Sequence, residues 1–401
     1  MLGNKLAKRN VALLVLCQAL AMTSLTMLFT VAALIGARLA ADPALATLPV
    51  ALLQVAVMLT TIPASLYMQR VGRQRGFMLG TLFGLAGAGL GITAVLSSNF
   101  LLFCLATVLF GIFNGFSGFY RFAAADAATE SFRARAISFV VAGGVIAALL
   151  GPNLASWAKD WFTEAEFAGS LLPIVGFQIL TLAVLQGVQI PPIPQATVQT
   201  GRPLTTLLRH PVFIVATLGS MVGYSVMVLL MTATPLAMTD QPHPGHPFSQ
   251  AAFVIQWHVL GMFAPSFFTG SLINRFGVLN VILWGIGCNF LSIATNFWGT
   301  DVGHFLVALT LLGIGWNWMF VGSTTLLTQM HSPAEKAQIQ AAHDFLTFTA
   351  VAVAALLSGR LLERYGWLTI NWVALPGLAV ALVAVLWLRH RLAIRAEQGT
   401  P

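Results

Sequence analysis

The length of its apolar runs constrains this chain more than any other feature. The first, VALLVLCQALAMTSLTMLFTVAALI from Val11 to Ile35, contains no charged residue. At a rise of 1.5 Å per residue, about 20 such residues cross roughly 30 Å of hydrocarbon as an α-helix. Similar runs recur to the end of the 401 residues, 58% of which are hydrophobic and only 8% charged, where a soluble domain carries roughly a quarter charged. Backbone groups in lipid must find partners within their own segment, so an all-α membrane protein is expected. The first run is too long for the apolar core of a signal peptide and lacks a convincing cleavage site. Cys17, Cys104 and Cys288 lie inside apolar runs without paired spacing, so no disulfide framework, metal site or cofactor follows. A net charge of +8 in such a chain reflects membrane topology rather than nucleic-acid binding.

Cutting at charges, prolines and polar clusters gives twelve candidate spans: 11–36, 48–69, 76–97, 99–125, 134–157, 170–190, 211–237, 249–273, 278–297, 303–329, 338–362 and 369–388. An even number places both termini on one side. With that side cytoplasmic, it carries Lys5, Lys8, Arg9, Arg70, Arg73, Arg75, Arg133, Arg135, Arg202, Arg209, Arg275, Lys336, Arg389, Arg391 and Arg395. The other side holds only Arg38, Lys159, Arg360 and Arg364. This bias assigns the orientation and, with it, a multi-pass protein of a bacterial-type inner membrane.

The proline-rich stretch between the sixth and seventh spans reads as a linker. It divides the chain into an N-terminal six-helix half (1–190), a cytoplasmic linker (191–210) and a C-terminal six-helix half (211–401). The halves echo each other about 200 residues apart. MQRVGRQRG after the second span answers LINRFGVLN after the eighth, and LFGIFNG in the fourth answers LLGIGWN in the tenth. Parallel halves related by a pseudo-two-fold axis are the repeat logic of a secondary transporter with a site between them.

At this point the sequence resembles the major facilitator superfamily over essentially its whole length. The superfamily's glycine, acid and basic signature after the second span is partly present as SLYMQRVGRQRG, with Arg70, Gly72, Arg73 and Arg75 in place, Ser65 replacing the first glycine and Gln69 the acid. In the fourth span, Asn114 and Gly115 fit a second motif whose basic position is Gly111 here. A third, a glycine-rich run in the fifth span associated with antiporting exporters, retains Gly143, Gly144, Gly151 and Pro152 but has Ala147 in the middle. The resemblance implies alternating access of two halves around a central cavity, with the first, fourth, seventh and tenth spans supplying most contacts.

Ionisable groups within a span cost at least about 2.5 to 3.5 kcal/mol on insertion scales, so each is a candidate for function. In FYRFAAAD, Arg121 and Asp126 are five residues apart, about 140° around a helix, and do not face each other. Arg121 shares a stripe with Asn114, seven residues earlier, which makes it either a substrate or gating residue or a structural arginine reaching the interface. Asp344, near the start of the eleventh span with Thr347 one turn on, is either a proton-coupling and gating carboxylate or half of a static ion pair with Arg121, Arg70 or Arg73. Asp126 joins this gating set. His343 is placed about 100° from Asp344 and apart from it. His258 is either a proton relay or a hydrogen-bonded core histidine. Gln18, Thr23, Gln54, Tyr224, Trp316 and Asn317 are candidate substrate groups that could equally join helices. Met22, Met27, Met58, Met221, Met227, Met231, Met262 and Met319 offer an adaptable apolar lining. His243 and His246 sit in a proline-rich turn and are read as turn residues.

No phosphate-binding glycine loop and no nucleophile with a base is present, which excludes an ATP-driven pump or enzyme within this chain. The expectation is a proton-coupled secondary transporter, monomeric and surrounded by lipid, exporting a small amphipathic or apolar compound by antiport. The alternative is a transporter of an organic anion or metabolite with Arg121 as counter-charge. Protons and a small-molecule substrate are then the partners, without nucleic acid or cofactor.

Overall fold

A computed structural model describes residues 2–128, 133–190, 202–239, 245–330 and 335–397. Among these residues there is no strand. The first group of helices is α1 (Leu2–Leu39), α2 (Leu48–Val71), α3 (Arg73–Leu96), α4 (Phe100–Ser117), α5 (Tyr120–Ala127), α6 (Arg133–Ala158) and α7 (Ala168–Gln186). After a short α8 (Leu204–Leu208) come α9 (Pro211–Thr239), α10 (Phe248–Phe263), α11 (Ser266–Phe276), α12 (Val278–Trp298), α13 (Val302–Thr328) and α14 (Lys336–Glu397).

Nine helices among the described residues are long and apolar enough to cross a membrane, or ten when α10 and α11, bent by 42°, are taken as one span. The difference from twelve separate helices has local causes. The expected eleventh and twelfth spans run together in α14, whose 62 residues are broken only at Gly366, φ 77°. The apolar part of α6 is the shorter stretch Ala142–Ala158. Two expected spans are interrupted: the fourth between Ser117 and Tyr120, and the eighth at Ala264 and Pro265, where proline removes a backbone donor. The linker residues 191–201 lie outside the described residues.

Within lipid, hydroxyls are satisfied by their own helix: Thr23, Ser24, Thr26 and Thr30 donate to the carbonyls four residues back at 2.7 to 2.9 Å. Close helix contacts are made by glycine, because lipid tails offer no hydrophobic drive for association and packing must supply it. A Cβ on Gly111 of α4 would run into the Leu53 carbonyl of α2, and one on Gly313 of α13 into the His258 carbonyl of α10. The two echoing sequence motifs therefore do the same packing work. Gly111 leaves no room for the basic side chain of the resembled motif. Gly72 and Gly277, which end the echoing turns, both have positive φ (91° and 86°), a conformation that glycine adopts without a Cβ penalty.

Packing is mostly among helices of residues 2–190 or among those of 211–397, with crossings of α2 on α14, α6 on α10 and α1 on α9. The crossings are tight at one end of the bundle. There the Gly359 N–H donates to Thr47 Oγ1 at 3.1 Å, Asn153 Nδ2 donates to Gln256 Oε1 at 2.8 Å, and the Phe167 and Phe248 rings meet at 5.1 Å. Arg38 pairs with Glu166 and lies over Phe167. Lys159 donates to Asp160, which, with nearby Glu166, raises its pKa against the opposing effect of burial. The opposite end, where α2, α5, α13 and the start of α14 come together, is open.

Candidate functional site

The open end leads into a cavity of about 910 Å³ in the middle of the bundle. Residues from α1, α2, α4 and α5 form one wall, and residues from α9, α10, α13 and α14 form the other. Along α2 the lining descends from Gln54 to Gln69, and along α14 it starts at Gln340, so the mouth lies at the end carrying the basic turn.

The two walls differ in chemistry. On the second, the Tyr224 ring meets Trp316 at 5.4 Å, Phe320 at 5.6 Å and Phe348 at 5.8 Å, all edge-on. Trp316 and Phe320 are stacked at 5.2 Å with 8° between their planes, the consequence of an i, i+4 spacing on α13. Phe263 completes the cluster, 6.3 Å from Trp316. The Trp316 indole N–H is buried without an acceptor among the described residues, an expensive arrangement. Gln54, buried on the first wall, forms a side-chain hydrogen bond with Tyr224. That contact joins the two walls at the bottom of the cavity.

The first wall carries Asn114, Gly118, Phe119, Arg121 and Phe122. Although the helix breaks between Asn114 and Arg121, both face the cavity. Tyr120, fully buried against Phe77 at 4.5 Å, anchors α5 from behind and turns its neighbours inward. The Arg121 guanidinium lies 4.8 Å from the Phe122 ring centre and makes no ion pair among the described residues. Asp126, turned 140° away from Arg121 on the helix, pairs instead with Arg73 at the start of α3. Arg70 is exposed and without an ion pair among the described residues.

Asp344 lies across the mouth from Arg121, and the two charges interact without touching. Its direct partner is His343, whose Nδ1 is 3.0 Å from Asp344 Oδ1. This corrects the sequence expectation that separated these neighbours: 100° between Cα directions does not stop an imidazole from turning back to the adjacent carboxylate. His343 also reaches Ser220 of α9, Nε2 to Oγ, at 2.9 Å. Thr347 is buried and off the cavity wall, on the His343 side of the helix.

Several expected residues are placed elsewhere. Gln18 lies against Gly143 at the contact of α1 with α6, and Thr23 donates to the Ala19 carbonyl. Asn317 donates to the Met262 carbonyl at 2.7 Å and Ser266 Oγ at 2.6 Å and accepts from Thr269 at 2.8 Å. It thereby holds the bend between α10 and α11. His258 is buried with Nδ1 2.8 Å from the Leu309 carbonyl; a carbonyl only accepts, so Nδ1 carries the proton. None of the four lines the cavity. Met22, Met58, Met227, Met231 and Met262 do line it, whereas Met27 and Met319 are core residues. The glycine-rich run of α6 packs closely: Gly143 faces Ala19, Gly144 the Phe263 ring and Gly151 Thr26. His246 donates to the Thr300 carbonyl at 2.9 Å, and His243 lies outside the described residues.

A bundle of apolar helices around a large cavity open at one end defines a class: a multi-pass membrane transport protein. Comparison with known sequences makes the assignment specific. A sequence profile of the Major Facilitator Superfamily matches residues 14–277 and 223–400. The riboflavin transporter RfnT of Brucella anthropi is 43% identical over 383 residues, covering 95% of this chain and 96% of that one. Two uncharacterized MFS-type transporters of Bacillus subtilis, YdeG and YddS, are each 28% identical, covering 90% and 98% of this chain and 87% and 94% of their own lengths. The chain belongs to the Major Facilitator Superfamily.

Proposed function

We propose that this protein transports riboflavin or a closely similar planar heteroaromatic metabolite across a bacterial plasma membrane. The observation that carries the reading is the cluster of Tyr224, Trp316, Phe320 and Phe348 on the cavity wall. A flat ring system stacks on such faces. Gln54 and Asn114 opposite are amides that both donate and accept, as the edge of a heterocycle requires. The similarity to the Brucella anthropi riboflavin transporter supports the same substrate class. Of the two features that pointed to export of apolar compounds, the α6 glycines are accounted for by helix contacts and the methionine-rich lining stands; the similarity to a riboflavin transporter favours the metabolite alternative.

In this reading the chain crosses the membrane twelve times, with α14 crossing twice around Gly366 and α10 with α11 once. Two six-helix halves, 1–190 and 211–397, rock about the cavity with both termini cytoplasmic. Gln54 and Tyr224 meet at the floor, and Arg121 and Asp344 approach when the open end closes. Protons drive the cycle. Direct binding tests the substrate: riboflavin should quench the tryptophan fluorescence of the purified protein saturably, and vesicles containing it should accumulate labelled riboflavin. Absence of both at solubility-limiting riboflavin would sink the proposal.

A further inference from the structure

From the chain of contacts Asp344, His343 and Ser220 we infer that the transport cycle's coupling proton is bound at His343, with Asp344 and Ser220 as its positioning residues. The inference deepens the reading of the cavity as a transport pathway and rests on it, but its test needs no substrate.

The geometry is that of a site built for one proton. His343 is 1% exposed, yet both of its ring nitrogens are occupied: Nδ1 by Asp344 Oδ1 at 3.0 Å and Nε2 by Ser220 Oγ at 2.9 Å. A buried histidine held between two carbonyls would be locked in one state. Here one partner is a carboxylate and the other a hydroxyl, which both donates and accepts. With the extra proton, Nδ1–H donates to Asp344 and Nε2–H donates to the Ser220 oxygen. Without it the ring keeps Nε2–H on Ser220, and the proton lost is the one on Nδ1, which passes to the Asp344 carboxylate and from there to cavity water. The route is short, because the Asp344 side chain is 43% exposed and lies on the cavity wall. The proton comes from cavity water through that carboxylate and returns the same way; only O–H and N–H bonds are made and broken.

The charge balance supplies the coupling. With the proton bound, the His343 and Asp344 pair is neutral; without it, the pair carries one negative charge. Arg121 and Asp344 are the only charged residues on the described cavity wall, and Arg121 has no ion-pair partner among the described residues. Other elements against α14 bring nothing comparable. α9 presents Ser220 and the Tyr224 phenol, α2 presents Gln54 and Gln69 to the cavity with Arg70 exposed at its end, α12 has no charged residue, and Arg209 beyond α8 is exposed. His210 caps the Val212 N–H at the other end of the Ser220 helix segment. Loss of the proton therefore creates an attraction between α14 and α5 across the mouth, which draws the open end shut. Binding the proton releases it and lets the mouth open.

Spin labels at Ala127 and Gln338, outside the cavity lining, report the opening of the mouth by electron–electron distance measurements in lipid nanodiscs without substrate. The separated population should dominate at low pH and fall at least tenfold relative to the close one as pH rises, with the slope of a single proton. His343→Gln keeps a polar group at the site but holds no proton, and should flatten this dependence. A wild-type mouth indifferent to pH, or a pH profile unchanged in H343Q, overturns the inference. Should H343Q fail to fold, Asp344→Asn at the half-exposed position serves: it should flatten the profile too, and a wild-type profile in D344N overturns the inference. Failure of riboflavin to bind while the pH-driven closure persists would remove the substrate proposal and leave this one standing.

Discussion

The two walls of the cavity are built on the same skeleton and carry different side chains at corresponding positions of α4 and α13. Gly111 lets α4 approach α2, and Gly313 lets α13 approach α10 in the corresponding way. Yet beyond these glycines the first wall continues to Asn114 and Arg121, while the second continues to Trp316 and Phe320. Repetition fixed the helix contacts, where the tolerance for change is smallest. Divergence fell on the side chains that face the cavity, where a substrate rather than a neighbouring helix sets the requirement. A site with the Tyr224, Trp316, Phe320 and Phe348 cluster on one wall only orients a flat ligand in a way two identical walls could not.

The shared skeleton is the first place to break this comparison. Gly313→Leu and Gly111→Leu should be equally damaging, because each drives a side chain into a backbone carbonyl with nowhere to move. Overpacking of this kind costs roughly 1 to 3 kcal/mol or more, and both variants should lose the monodisperse peak in size-exclusion chromatography. If one is tolerated, the packing equivalence of the halves fails.

The next effects belong to the aromatic wall. Trp316→Ala removes the stacking face and opens the Tyr224 and Phe320 contacts behind it, and should weaken riboflavin binding about a hundredfold, roughly 2.7 kcal/mol, by calorimetric titration. Tyr224→Phe keeps the ring and removes only the hydroxyl that meets Gln54. A loss of about 0.5 to 1.5 kcal/mol is expected, and Gln54→Ala combined with it should lose less than the sum of the two. The smallest effect on affinity should come from the polar wall. Arg121→Gln should change riboflavin affinity by less than about threefold, since the uncharged ligand gives it nothing to neutralise, while shifting the mouth towards the open state. A loss above tenfold would move Arg121 into the substrate site and favour an anionic ligand.

Much of the architecture was legible in the residues. Runs of uncharged apolar sequence marked where helices lie, and the echo of LFGIFNG in LLGIGWN marked two stretches that the structure shows to be glycine-mediated helix contacts. The separation of Arg121 from Asp126 followed from helix geometry, and Asp126 does turn to Arg73. Of the candidate site residues, Asn114, Arg121, Gln54, Tyr224, Trp316 and Asp344 reach the cavity. Gln18, Thr23, Asn317 and His258 do not, and Phe320, Phe348 and His343 were passed over. The i, i+4 spacing of Trp316 and Phe320 was a usable signal for the first; nothing local pointed to Phe348 or to the partnership of His343 with Ser220, 123 residues away.

The sequence alone determined that this is a helical membrane protein, because that depends on local hydropathy. Which polar groups face a substrate and which join helices was decided only by tertiary structure. In a soluble protein the contrast between core and water would reveal the buried face of each helix. Here lipid and protein interior are equally apolar, so a polar residue marks only that something faces it, and whether that is a cavity, as for Trp316, or a neighbouring helix, as for Asn317 one residue later, is set by how the bundle packs.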